Sequence, residues 1–222
     1  MSVTPAYDEI ADWYAEYVTG SAAVFTDRAG AALRRMLGRG SGVCWDVACG
    51  TGVYAETIRE LGWTPLGTDI SSGQLRYAAS VMPVVRADAT RSPIRPGGVA
   101  AVTSVLCHTD IDDYAALCVA AFEALSPGGR FAHVGVHPCF VGAFVDRSNG
   151  RRVLIEPGYW RRERRFEAWT PDGVRVRVGA THLPLGELLG VVIAAGLVVD
   201  AVVELGEPTP DILAIQAHRP SL

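Results

Sequence analysis

Three carboxylates and two glycines are spaced so that they could hold a nucleoside. An apolar run through Val43, Cys44 and Trp45 ends in Asp46, and the chain turns through Ala48-Cys49-Gly50-Thr51-Gly52. A second apolar run ends in Asp69, within Leu66-Gly67-Thr68-Asp69-Ile70, and a third is followed by Ala87-Asp88-Ala89. The order reads strand, glycine turn, helix, strand. Without Cβ atoms, Gly50 and Gly52 let backbone approach a ligand closely. The helix that follows offers free N–H groups and a partial positive charge. A carboxylate about 20 residues past the glycines, here Asp69, can accept both ribose hydroxyls. An adenosine-containing cofactor fits this chemistry. A lone Gly-x-Gly is a weak sign, and a carboxylate after a strand is usually a helix cap or solvated. The acids carry the reading because they fall in order, each at a strand end. The loop departs from the dinucleotide fingerprint Gly-x-Gly-x-x-Gly, since Gly50-Thr51-Gly52 continues as Val53-Tyr54-Ala55.

The elements that must position these residues follow from periodicity. Tyr7, Ile10, Ala11, Tyr14 and Val18 fall at helical spacing, so a helix is expected over 5–19, with Thr4 as cap and Pro5 as first residue. A second helix is expected over 22–38. Strands are expected near 42–48, 64–69, 83–86, 99–105 and 130–136, with helices over 52–62, 72–80 and 112–125. Such alternation implies a parallel sheet with right-handed crossovers. Ser126-Pro127-Gly128-Gly129 is a strong turn signal. After His137 the rhythm breaks, and 138–174 is rich in Arg, Gly, Pro and Trp. It returns with a helix over 184–195 and strands near 197–205 and 211–218. The short link Gly206 to Pro210 is compatible with a closing antiparallel hairpin, since a parallel partner would need a longer crossover. Ligands bind such sheets outside the carboxyl ends of the strands, where strand order reverses.

Composition narrows the function. The chain has 222 residues, enough for one domain with a full core, and 49% of them are hydrophobic. A net charge of −4 argues against nucleic acid as partner. No apolar run reaches membrane length, and the acidic, aromatic N-terminus does not read as a signal peptide. Five cysteines without a CxxC pair suit a reduced, cytoplasmic setting. All 20 basic residues are arginine, which excludes a P-loop or Schiff-base lysine.

The motif Asp46-Val47-Ala48-Cys49-Gly50-Thr51-Gly52 resembles the glycine-rich loop of class I S-adenosylmethionine-dependent methyltransferases of the small-molecule type, and the resemblance extends over nearly the whole chain. Ala48 departs from it, standing where many members have glycine. The resemblance implies an α/β fold: a Rossmann-like seven-stranded sheet, mostly parallel with the last strand antiparallel, and helices on both faces. It implies one domain with an N-terminal helical cap over about 1–40 and a lid-like insertion over about 138–174. S-adenosyl-L-methionine would be the cofactor and S-adenosyl-L-homocysteine the product. Asp69 matches the ribose-binding acid, and Asp88, with Ala89 beside it, the acid that meets the adenine. Tyr14, Asp46, Ala48, Gly50, Gly52, Ile70 and Val105 complete the implied cofactor contacts.

Methyl transfer from a sulfonium needs an aligned nucleophile, and a protonated one needs a base, for which histidine is the first choice. His108 follows the fourth strand, His137 ends the fifth, and His182 precedes a helix; these three are the expected catalytic residues. His108 and Asp110 could instead cap a helix, and His182 could do the same. His133 is expected in the core. No metal is expected. In the insertion, Phe140, Tyr159 and Trp160 are expected as a substrate lid. Arginines 147, 151, 152, 161, 162, 164 and 165 are read mostly as a solvated surface balanced by acids. Arg28 is a loose candidate for the cofactor carboxylate. The expected activity is methyl transfer to a small aromatic or heterocyclic metabolite, oxygen before nitrogen, by a monomer or homodimer. Two alternatives stay open: an RNA or protein methyltransferase using the arginine-rich segment, and a cofactor-binding protein that transfers no methyl.

Overall fold

The computed structural model describes residues 5–150, 152–170 and 172–221. Thr4, the expected cap, and Arg151 lie outside them. In chain order the elements are α1 (Ala11–Thr19), α2 (Ala23–Leu37), β1 (Val43–Val47), α3 (Ala55–Glu60), β2 (Thr64–Asp69), α4 (Ser72–Ala78), β3 (Val84–Arg86), β4 (Val99–Val105), α5 (Tyr114–Ala124) and β5 (Leu125–Val136). There follow β6 (Val145–Asp146), β7 (Leu154–Ile155), β8 (Arg164–Arg165), α6 (Arg175–Val178), β9 (Ala180–Thr181), α7 (Leu185–Ala194), β10 (Val198–Leu205) and β11 (Ile212–His218). Seven strands form one sheet in the order β10-β11-β5-β4-β1-β2-β3. Pairing is parallel from β3 to β5, and β11 runs antiparallel to both its neighbours. This is the Rossmann-like sheet expected, with its last strand reversed.

Alternation along the strands sends side chains to two opposite cores. Trp45, Val47, Phe131, Leu213 and Ile215 pack with Leu117, Leu188 and Val192 of α5 and α7. Cys44, Ala132, Val134, Ile212 and Ala214 pack with Leu33, Met36 and Leu37 of α2 and Ile58 of α3. Burying each large side chain contributes about 1.5–3 kcal/mol. Thus α2 is a sheet-covering helix as well as part of the N-terminal segment.

Helix ends fall up to three residues inside the expected spans, as is usual for frayed termini. The larger difference is α1, which starts at Ala11, not Pro5, after turns over 6–10. That stretch is tied by tertiary bonds: Asp8 Oδ1 accepts from Ser71 Oγ at 2.6 Å and from Gly73 N–H at 2.8 Å. The Ser126–Gly129 turn lies within β5, where the β4 pairing shifts register between Val99 and Ala101. Strand order reverses between β1 and β4, so the sheet's switch point lies at the ends of Asp46 and Val105.

Candidate active site

Beyond β1 the backbone turns through three residues of positive φ, Ala48 (52°), Gly50 (55°) and Gly52 (77°). Asp69, at the tip of β2, fixes this turn: Oδ2 accepts from Gly50 N–H at 2.9 Å and Oδ1 from Ser71 N–H at 2.8 Å. Burial raises the Asp69 pKa, and these backbone donors partly oppose the rise. Asp46 is buried beside it, with Oδ1 accepting from Thr103 at 2.8 Å and Oδ2 unpartnered. Burial pushes its carboxyl up to about 7.

These residues floor a cavity of about 770 Å³. Tyr14, Asp46, Ala48, Gly50, Asp69, Ile70, Asp88, Ala89 and Val105 line it, so Asp69 and Asp88 share one cleft. Asp88 is exposed and accepts from Thr90 N–H and Oγ1 at 2.9 and 2.8 Å. Gly52 stands apart from the lining. A Cβ there would come within 2.9 Å of Val81 Cγ2 and 3.1 Å of Ala78 Cα, so this glycine lets the turn pack on α4. A Cβ on Gly50 would meet nothing nearer than 3.8 Å and would enter the cavity instead.

A second cavity of about 420 Å³ adjoins the first. Tyr7, Tyr14, Leu106 and Asp110 line both. Tyr7 OH donates to Asp110 Oδ1 at 3.2 Å, and the Tyr7 and Tyr14 rings meet edge to face at 5.2 Å. Walled by protein, Asp110 has its pKa raised to about 7 by burial, with the Arg164 charge acting against the rise.

The expected catalytic histidines lie outside the linings of both cavities. His108 is buried over Gly135, where a Cβ would stand 2.5 Å from its ring, and its centroid is 5.2 Å from that of His133. Burial lowers its pKa to about 4. His133 closes a buried chain with Tyr114 and Ser104, at 2.7 and 2.8 Å. His137 is locked by Glu204 Oε1 at 2.6 Å on Nε2, while Nδ1 accepts from Cys139 N–H at 3.1 Å. His182 is buried against Phe144 and Tyr159. Position at a strand end, for His108 and His137, or before a helix, for His182, does not say which way a ring turns.

The insertion is likewise divided. Phe140 packs on His137, Tyr159 OH accepts from Leu185 N–H at 2.9 Å, and Trp160 is 76% exposed. None of the three lines either cavity. From the same segment Val141, Arg147, Phe166 and Trp169 line the cavities, joined beyond it by Arg175 and Arg177. That stretch is clamped to the loop after β4: Thr181 N–H donates to Thr109 O at 2.8 Å, and Arg164 to Asp110 O at 3.0 Å. Arg28 pairs with Asp211. Among the described residues, no group of His, Cys, Asp and Glu is arranged to hold a metal.

Residues 45–129 match the family model for a methyltransferase domain. The fold is that of class I S-adenosylmethionine-dependent methyltransferases. An S-adenosylmethionine-dependent methyltransferase from Mesorhizobium loti is 24% identical, with a TM-score of 0.70 over 87% of this chain and 97% of that one. Geranyl diphosphate C-methyltransferase from Streptomyces coelicolor is 15% identical, with a TM-score of 0.63 over 87% and 79%. The [4+2]-cyclase SpnF is 15% identical, with a TM-score of 0.64 over 89% and 82%. No curated protein sequence matches the chain. S-adenosylmethionine is the cofactor of this methyltransferase fold, and the residues present fit it. Asp46 Oδ2 and both polar atoms of Gln74 are buried without partners against the cavity, as a ligand rich in donors and acceptors requires. Gln74 was not legible in the sequence, because only the docking of α4 turns it inward.

Among the described residues no helix is long and apolar enough to cross a membrane. All five cysteines are free thiols.

Proposed function

We propose that this methyltransferase acts on a small aromatic or heterocyclic metabolite, methylating oxygen in preference to nitrogen. One observation supports the reading: a second chamber adjoins the cofactor cavity, and a carboxylate, Asp110, lines both. Asp69 receives the ribose hydroxyls, and Asp88 and Ala89 flank the adenine. Ala48, Gly50, Ile70 and Val105 give the remaining surface, with Tyr14 above. When bound, S-adenosylmethionine supplies an electrophilic methyl group. The chain's own task is to align a nucleophile and take its proton.

Asp110, rather than a histidine, takes the role of base. Its raised pKa, about 7, suits a base at neutral pH. Tyr7 holds the carboxylate through Oδ1 and leaves Oδ2 to receive a proton. His108, His137 and His182 then support the walls. Gly52 shapes the turn, and Phe140, Tyr159 and Trp160 anchor the insertion. The protein works in the cytoplasm, in keeping with its free thiols, as a monomer or homodimer, and 138–174 belongs to the same domain as the sheet.

The RNA and protein alternative weakens because most arginines of the insertion pair with acids. The non-methylating alternative keeps one support, since a cyclase shares the fold. Mass spectrometry of phenols and heterocyclic amines incubated with the protein and S-adenosylmethionine separates the two. A gain of one methyl with release of S-adenosylhomocysteine is expected. Bound cofactor with every acceptor unchanged in mass would overturn methyl transfer.

A further inference from the structure

Four of the arginines that follow β5 are neutralised. Arg161 pairs with Glu163, Arg162 with Glu187, Arg164 with Asp112, and Arg165 with both Glu156 and Glu167. Two that line the second chamber are not. Among the described residues neither Arg147 nor Arg175 meets a carboxylate. Arg147 donates to Thr209 Oγ1 at 3.0 Å and stands 5.9 Å from the Trp169 ring centroid. Arg175 donates to the Val141 carbonyl at 2.7 Å. A guanidinium carries five N–H donors, so each keeps several unassigned. Burial lowers the Arg175 pKa, and the nearby charge of Arg165 lowers it further. Even so a guanidinium stays charged, and a charge withdrawn from water calls for an opposite charge.

The chamber is also polarised. Its acids are Asp110 and Asp211, and Arg28 already answers Asp211. Asp110 lies at the seam with the cofactor cavity, while Arg147 and Arg175 line only the second chamber. An anion would be repelled at the first end and received at the second. Phe25 and Trp169 supply apolar wall.

We propose that the second chamber takes an acceptor bearing an anionic group, a carboxylate or a phosphate, held by Arg147 and Arg175 so that its nucleophile lies toward Asp110. The planar guanidinium fork matches both anions by paired N–H···O bonds. The same polarity fixes which end of the acceptor meets the methyl group. This rests on the second chamber being the acceptor site.

The test uses the full chain loaded with S-adenosylhomocysteine and three probes: benzoate, phenyl phosphate and neutral benzamide. Calorimetry is expected to give one of the anions at least about tenfold tighter binding than benzamide, and the stronger of the two names the group. Arg147→Gln and Arg175→Gln should each weaken that anion by roughly fivefold or more, leaving S-adenosylhomocysteine affinity within about twofold. Thermal melts identify a variant that has lost its fold, and Arg147→Lys, which keeps the charge but not the fork, should fall between wild type and Gln. Benzamide binding as well as both anions, or folded Gln variants that keep full anion affinity, would overturn the proposal. Failure of S-adenosylhomocysteine itself to bind would overturn the cofactor reading instead, so the two failures are distinguishable.

Discussion

The two adjoining chambers are built by different means. The first cavity rests on strand ends, and two of its acids accept from backbone N–H groups: Asp69 from Gly50 and Ser71, Asp88 from Thr90. The second chamber is walled by side chains from α2, the loop after β4 and the irregular segment that ends at β9. Its determinants meet through long-range bonds, such as Tyr7 to Asp110 and Arg147 to Thr209. The first arrangement follows wherever the sheet forms. The second depends on how loops far apart in the chain settle on one another, and such loops are where specificity is commonly carried.

The sharpest way to break this comparison is at Asp110. Asp110→Asn should lower turnover by about 10²–10⁴-fold while leaving S-adenosylhomocysteine affinity nearly unchanged. In the wild type, activity should rise with pH through about 7, because the base must be ionised and burial holds its pKa there. A variant that keeps both its rate and this pH profile would remove Asp110 from the chemistry. Asp69→Ala attacks the other chamber. It should cost about 1.5–3 kcal/mol of cofactor binding, or roughly tenfold to a hundredfold, as calorimetry reads it. Unchanged affinity would reject the ribose assignment.

Asp46 allows a finer test. Its pKa in the fold, about 7, lies above the ordinary 3.8, so the folded state binds more protons and loses stability as pH rises from about 4 through 7. Asp46→Asn should therefore stabilise the ligand-free protein at pH 8 by an order of 1–3 kcal/mol, with little gain at pH 4 and weaker cofactor binding. Equal melting temperatures at pH 8 would show that the buried carboxylate carries no such cost. The smallest effect is expected at the rim. Arg162→Ala breaks the pair with Glu187, both groups being partly exposed, and should change stability by less than about 1 kcal/mol and leave both ligands' affinities alone.

The glycines show where sequence reasoning stops. Gly50 and Gly52 look equivalent in the motif, and both have positive φ, 55° and 77°. Yet Gly50 faces open cavity and Gly52 faces Ala78 and Val81. A motif records that a Cβ is unwelcome without recording what it would strike. The histidines teach the same lesson with the opposite sign. Their positions after strands suited catalysis, but His108 turns over Gly135 and His137 toward Glu204.

What the sequence determined by itself was the alternating sheet, its antiparallel final strand and the row of acids at the strand ends. Those features follow from local periodicity, short links and residues that act close to their own backbone. Only the tertiary structure decided that Tyr7 meets Asp110, that Arg147 and Arg175 lie beyond the reach of any described carboxylate, and that Gln74 turns inward unpaired. Those outcomes depend on side-chain direction and on contacts between residues tens of positions apart, and no short-range pattern in a chain encodes either.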